Sequence, residues 1–442
     1  MLRPITNIRI TQIKPYNCTI DGVATVIPRT LVFDLDFAVS YTIKKGWEVH
    51  TDTCEILLPK NIRLQNGNDL FKQDGAYNVI LGGTVNETML GSQITTPPLI
   101  MAGDIVEIED GYMFHNEVGE QITKKQVQFK GVVSNIKSGV PITIYCEDWF
   151  YLLKITPIGV TNWTKSLISL CKHIINEVNK RFSSTYGDLI LWDATDDITA
   201  KFDLGYLDID YASISCAMVL DKLRSQYKIE SFFVDNVLHF GYPIYYEPDA
   251  NSNYFFSFQN NIISDNLEYK NKDTVILSAV VSCQEYVSTK TTKKGKSTKK
   301  KARKQVYVYW DITQQKFLWK DIKTSAEIPP NEGGERHDFV YPVNLSKEKQ
   351  PTPQQLGEYG IETLKKYYYT GFQGSFTTFG YPFIKWNDNV NIEDSVFADR
   401  NGQYKVKSVT RSFDGSGIRQ EIEIDYKQQV SLPQDWIYEI MI

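Results

Sequence analysis

Two short stretches carry the residue types that chemistry uses. Cys146-Glu147-Asp148-Trp149-Phe150 sets a thiol beside two carboxylates, the makings of a nucleophile with an acid or base at hand. In an alternating strand, however, neighbouring side chains point to opposite faces, so a structural role is the better reading. Gly333 to Asp338 (GGERHD) offers His337 and Asp338 as metal ligands, but a metal site takes three or four protein ligands and two are weak grounds, so no metal is assigned. The other histidines, His50, His115, His173 and His239, are scattered, and His173 falls near the apolar face of a helical segment, as a packed residue does. No HExxH, GxSxG or GxxxxGK[ST] pattern occurs. The expectation is a protein that is not an enzyme and has no cofactor.

Charge points elsewhere. The 442 residues carry 48 basic and 53 acidic side chains, a formal charge of -5. Nine of the cations lie between Ser288 and Gln305 (STKTTKKGKSTKKKARKQ), and without them the chain has 39 basic against 53 acidic groups. An acidic body argues against nucleic acid bound over the whole surface, because phosphate binding needs many distributed cations. The candidate polyanion or partner contact is local: Lys293, Lys294, Lys296, Lys299, Lys300, Lys301, Arg303 and Lys304. The plain alternative is a solvated hairpin tip. Six separated cysteines without a CxxC pair suggest reduced, buried thiols. No stretch has the apolar length of a signal core or a membrane span, so a soluble chain without a membrane span is expected.

The elements that would position these groups follow from periodicity. Thr30 to Ile43, Asp104 to Asp110, Lys125 to Ile136 and Pro141 to Leu153 alternate as strands and define a first β-barrel domain over residues 1–157. From Trp163 the period changes: Trp163, Leu167, Leu170, Cys171, Ile174, Val178 and Phe182 fall on one helical face. A second helix after Ser213 and a hairpin turning at Asp235-Asn236 complete a mixed α/β domain over residues 158–262. Residues 263–430 read as a second β-barrel domain, with the basic hairpin loop 288–305 between two strands and an insertion at 311–350. Thr352, Pro353 and Gln355 form a helix start with a capping box. Residues 431–442 form a C-terminal tail in which Trp436, Ile437, Ile440, Met441 and Ile442 are too apolar for a free end and suit partner docking.

A weak internal repeat links the two β regions. Gly103 to Asp110 (GDIVEIED) matches Asn387 to Asp394 (NDNVNIED) at Asp104/Asp388, Val106/Val390, Ile108/Ile392, Glu109/Glu393 and Asp110/Asp394, and each is followed by a hairpin. The stretch FGYPFIKWNDNVNIED and the following NGQYKVKSVTRSFDGSGIRQEIEID resemble the tail or baseplate hub proteins of bacteriophages and related contractile injection machines, the late-control proteins. Gly380, Pro382, Asp388, Val390, Ile392, Gly402, Tyr404 and Val406 take the family's motif positions. The resemblance covers Thr352 to Tyr426 most clearly, and neither a lysozyme-like domain nor a spike repeat follows it.

The fold class expected is α+β, predominantly β, with two related tube-type β-barrel domains around an α/β segment. The resemblance implies a structural hub, a homotrimer in which two barrels per subunit give quasi-six-fold symmetry and join a tail tube protein to a spike or tail-tip protein. It implies a place in the virion tail or baseplate after assembly in the host cytoplasm, with transient contact to DNA or the tape-measure protein in the channel. The alternative is a stand-alone nucleic-acid- or carbohydrate-binding β-barrel module.

Overall fold

The structure, a computed structural model, describes residues 3–20, 23–35, 38–59, 84–87, 93–96, 100–115, 121–137, 139–192, 207–241, 253–288, 299–330, 334–341 and 351–428. Strands dominate, and the fold is α+β and mostly β. The first half holds β1 (Arg3–Thr11), β2 (Val32–Leu35), β3 (Ser40–Gly46), β4 (Thr53–Leu58), β5 (Ile105–His115), β6 (Gln121–Lys137) and β7 (Ile142–Glu147). They lie side by side in the order β3-β4-β7-β6-β5-β1-β2, each pair antiparallel. Alternation does the sorting: Ile8, Ile10, Ile43, Ile56, Val106, Ile108 and Ile144 all turn to one core, and their polar neighbours face out.

Two sequence expectations change here. Thr30 to Ile43 is not one strand, because β2 and β3 sit at opposite ends of this half. The strand expected to reach Leu153 stops at Glu147: the Asp148 Oδ1 accepts the Phe150 N–H at 2.9 Å and starts α1 (Phe150–Lys154), with Phe150, Leu152 and Leu153 buried. Alternation and a helical face both leave apolar residues inward over so short a run, so periodicity alone did not separate them.

The middle segment packs α2 (Leu167–Tyr186) and α3 (Cys216–Tyr227) on a hairpin of β8 (Glu230–Val234) and β9 (Val237–Gly241). Leu167, Leu170, Cys171, Ile174 and Val178 are fully buried along α2, as their spacing predicts. Trp163, expected on that helix, lies before it and pairs with Leu207. The Ser215 side chain caps α3 by accepting the Met218 N–H, and Asp235 takes the positive φ (52°) that turns the hairpin.

The second half contains β10 (Asn253–Ser257), β11 (Ile262–Lys270), β12 (Leu277–Ser288), β13 (Lys299–Asp311), β14 (Lys316–Ile322), β15 (Glu335–Val340), α4 (Pro353–Leu364), β16 (Gly371–Phe379), β17 (Asn389–Glu393), β18 (Gly402–Asp414) and β19 (Gly417–Lys427). Six of these strands lie in the order β11-β16-β19-β18-β17-β10. The basic hairpin does not belong to that set: β12 and β13 form a separate four-stranded sheet ordered β14-β13-β12-β15. The expected insertion therefore supplies two strands of the sheet that the hairpin begins. Helix α4 covers this sheet, and its capping box is complete, with the Thr352 Oγ1 accepting from the Gln355 N–H and the Gln355 Oε1 from the Thr352 N–H.

The two halves are one sheet. Residues Ser408 to Phe413 of β18 pair with Gly46 to Tyr41 of β3, so thirteen strands belong to one sheet, with β17 and β10 branching from β18. No pairing between described strands closes either half by itself. The five cysteines whose side chains are described, Cys54, Cys146, Cys171, Cys216 and Cys283, are free and buried. No helix among the described residues is long and apolar enough to cross a membrane.

Candidate functional site

The residues singled out for chemistry sit in packing roles. Cys146 is buried opposite Cys54 on β4, and burial pushes its thiol up, away from the thiolate a nucleophile needs. Glu147 pairs with Lys154. The Nε2 of His173 lies 2.9 Å from the Ile158 carbonyl, and its ring stacks on Trp163. His337 Nε2 is 2.8 Å from Glu335 Oε1 while Glu335 also holds Lys270, and Asp338 faces Lys228 at 3.7 Å. Among the described residues no three His, Cys, Asp or Glu groups come together as a metal site.

What the geometry does show is a duplicated device. At the start of β5, the Gly103 N–H donates to the Val133 carbonyl and the Val133 N–H to the Asp104 carbonyl, both at 2.8 Å. At the start of β17, Asn387 donates to Val406 at 2.7 Å and Val406 to Asp388 at 2.9 Å. Each aspartate folds back on its own turn: Asp104 Oδ2 accepts the Met101 N–H at 2.8 Å, and Asp388 Oδ2 the Lys385 N–H at 2.7 Å. Gly103 (φ 99°) and Asn387 (φ 70°) both hold the left-handed conformation, which glycine and asparagine tolerate best. A register shift follows in each case, at Val133/Asn135 and at Val406/Ser408. Strand order repeats too: β3-β4-β7-β6-β5-β1 corresponds to β11-β16-β19-β18-β17-β10. Only the last pairing differs, since β1 runs antiparallel to β5 and β10 parallel to β17.

The halves meet at a buried ionic joint. The Arg411 Nε lies 2.8 Å from Asp110 Oδ2 and the Nη2 2.6 Å from Oδ1, while Nη2 also donates to the Gly380 carbonyl at 2.9 Å. Tyr41 donates to Asp110 Oδ2 at 2.5 Å, and its ring stacks on Phe413. Tyr112 bridges the same joint, donating to the Ile418 carbonyl (3.0 Å) and accepting from the Gly380 N–H (3.1 Å). Burial first, then the Asp110 charge, pushes the Tyr41 hydroxyl up, which keeps it a donor. Asp110 stood out in the sequence as a repeat position and Arg411 did not. The signal was there: Val409, Arg411 and Phe413 alternate onto one face, and a cation on an apolar face needs a buried acid. The matching residue in the other repeat, Asp394, does a different job and accepts the Val396 N–H at 2.8 Å.

A charged cavity of about 640 Å³ lies where the parts converge, lined among others by Glu48, Glu230, Glu335, Tyr367, Lys407 and Asp425. Burial raises Glu230 to about 7 and Asp425 to about 6, against the lowering pull of Arg224 and Lys407 respectively.

Of the basic cluster, Lys293, Lys294 and Lys296 lie outside the described residues. Lys299, Lys300, Lys301 and Arg303 stand on β13 opposite Ser288, Val287, Tyr286 and Gln284, so the stretch does join two strands as a long hairpin. Lys304 is half-buried and donates to the Pro351 carbonyl at 2.8 Å, an internal contact at the start of α4. Trp436, Ile437, Ile440, Met441 and Ile442 lie outside the described residues.

The sequence matches no family model and no curated protein. Solved structures resemble the chain over nearly its whole length. One is the tail protein from Neisseria meningitidis MC58, at 10% identity over 97% of each chain and a TM-score of 0.48. Another is the 43 kDa tail protein of prophage MuSo2 from Shewanella oneidensis, at 11% identity over 96% of this chain and 98% of that one, TM-score 0.44. A third is the half-lidded Francisella PdpA-VgrG complex, at 12% identity over 97% of this chain and 59% of that one, TM-score 0.46.

Proposed function

We propose that this chain is a structural hub of a phage-like tail or baseplate, assembling as a homotrimer whose six half-sheets form a quasi-six-fold ring. The ring joins a tail tube protein to a spike or tail-tip protein. The observation that carries the reading is the duplication: one strand order and one aspartate turn, twice in one chain. Two near-equivalent surfaces per chain let three copies present six, which is what seating a six-membered tube on a three-fold tip requires. No catalytic step is part of this role. The basic hairpin, with Lys299 to Arg303 on β13, meets DNA or the tape-measure protein in the channel, and the apolar tail from Trp436 to Ile442 docks on the tip or tube protein. The protein belongs, on this reading, to the virion tail after assembly in the host cytoplasm.

The test is native mass spectrometry with electron-microscope class averages of the full chain. A three-fold particle with a hollow centre is expected. A monomer at every concentration, with salt-sensitive DNA affinity lost on deleting Lys290 to Lys304, overturns the hub and supports a nucleic-acid-binding module instead.

A further inference from the structure

We infer that copies of this chain join edge to edge through β6 of one and β11 of the next, with Ile136 opposite Tyr269 and Lys137 opposite Glu268. The inference rests on the ring reading above and names its seam.

The internal joint supplies the template. β18 pairs with β17 over Gly402 to Lys405, then runs past the aspartate turn, and its Ser408 to Phe413 edge takes β3. In the first half β6 does the same up to that point. It pairs with β5 over Gln121 to Val132, then runs past the equivalent turn, and Asn135 to Lys137 pair with β7 alone among described strands. The edge that receives β3 in one repeat takes no described strand in the other. The donor strand is matched as well: β3, which fills the internal joint, corresponds to β11, which among described strands pairs with β16 alone. Each chain thus uses one donor and one acceptor edge internally and keeps one of each. Such a pair is heterologous, and heterologous contacts close into rings or run on as filaments.

The register follows from the duplicated hydrogen bonds. Val133 corresponds to Val406, so Asn135, Ile136 and Lys137 correspond to Ser408, Val409 and Thr410. Across the strands, Cys146 and Ile424 lie opposite those valines, Cys54 and Gly374 opposite them in turn, and Ile43 and Leu267 after that. Lys44 then corresponds to Glu268, and Lys45 to Tyr269. The internal pairs Val409/Lys45 and Thr410/Lys44 become Ile136/Tyr269 and Lys137/Glu268 between copies.

Chemistry agrees with that register. Lys137, which donates to the Tyr145 hydroxyl at 3.1 Å, and Glu268, which accepts from the Gln373 amide at 3.2 Å, are exposed and opposite in charge, and that register sets them opposite each other. Tyr269 is 45% exposed, a large apolar ring on an edge strand, and would cover the half-buried Ile136. Amides on both edges hold short local partners that a neighbouring strand can replace: Ile136 N–H donates to its neighbour's Asn135 Oδ1 (2.8 Å), and Leu267 N–H to Asp265 Oδ1 (3.2 Å).

Charge reversal tests the seam in the full chain. Lys137→Glu and Glu268→Lys each place like charges opposite one another at every seam and should weaken trimerisation about tenfold or more, while the double variant restores it, read by sedimentation equilibrium at low salt. In parallel, Ile136→Cys with Tyr269→Cys should give a covalent ladder up to the trimer on mild oxidation. A wild-type trimer unmoved by either reversal and giving no ladder overturns the seam and leaves the ring reading standing. A wild-type chain that never associates overturns both.

Discussion

Replacing Arg411 by methionine isolates the buried ion pair between the two halves. The guanidinium and the Asp110 carboxylate are 5% and 0% exposed, the contacts are 2.6 to 3.0 Å, and the Arg411 Nη2 also donates to the Gly380 carbonyl. Methionine fills similar volume but leaves Asp110 in the interior with only the Tyr41 hydroxyl directed at it. Breaking a buried pair by removing one partner costs about 3–5 kcal/mol, because the remaining charge stays desolvated. Removing both charges, as Asp110→Leu with Arg411→Met, spares that cost and should lie within about 1 kcal/mol of the wild type. Urea denaturation of the two variants separates these outcomes, the single variant unfolding at much lower denaturant. A single variant within about 1 kcal/mol of the wild type, or a double variant worse than the single, refutes the view that the ion pair holds the halves together.

Three further outcomes follow from individual sites. Gly360→Ala on α4 puts a methyl about 2.5 Å from Val281 Cγ2 and 2.7 Å from Val308 Cγ2; a loss of about 1–3 kcal/mol is expected in thermal unfolding, and an unchanged midpoint contradicts this close packing. Asp388→Ala removes the acceptor of the Lys385 amide and should cost about 1.5–3 kcal/mol, with faster hydrogen exchange at Lys385 as the specific readout. Glu230 ionises near 7 when folded and near 4.5 when free, so the folded state binds its proton more tightly. The stability of the wild type relative to Glu230→Gln should therefore rise as pH falls from about 7 to about 4.5 and stay flat outside that window. A slope of the opposite sign shows that Arg224 outweighs burial.

How far the sequence could be read depends on which interactions are local. The α4 start was legible because a capping box is a contact between residues three apart, and α2 because successive turns of one face repeat a single message. The aspartate repeat was visible because its turn needs Asp104 and Asp388 at a fixed offset from Val106 and Val390. What could not be read was which sheet a strand joins. The strands on either side of the lysine cluster alternate like any others, and nothing in Val280 or Tyr307 says that β12 pairs with β15 rather than with the large sheet. The same holds for Thr30 to Ile43, where unbroken alternation hid a change of place from one end of the half-sheet to the other. Those choices are fixed by packing with residues from tens of positions away, as for β12 and β15, to hundreds, as for β3 and β18.

Divergence between the two repeats bears on assembly. A ring of identical half-sheets would have identical joints, each as easily lost as the next. Here the repeats have parted at one position in particular: Asp110 meets Arg411 across the joint, whereas Asp394 caps its own loop. The internal joint is thus ionic, buried and covalently tethered, whereas the ion pair of the proposed joint between copies, Lys137/Glu268, is exposed. Exposed pairs are worth about 0.2–1 kcal/mol and are screened by salt, whereas the buried one is screened much less. Raising ionic strength should then split the ring at three joints and spare the other three, yielding intact single chains with the far-ultraviolet spectrum of the folded protein. Chains that unfold as they dissociate would show that the two joints are energetically alike and that this division between them is mistaken.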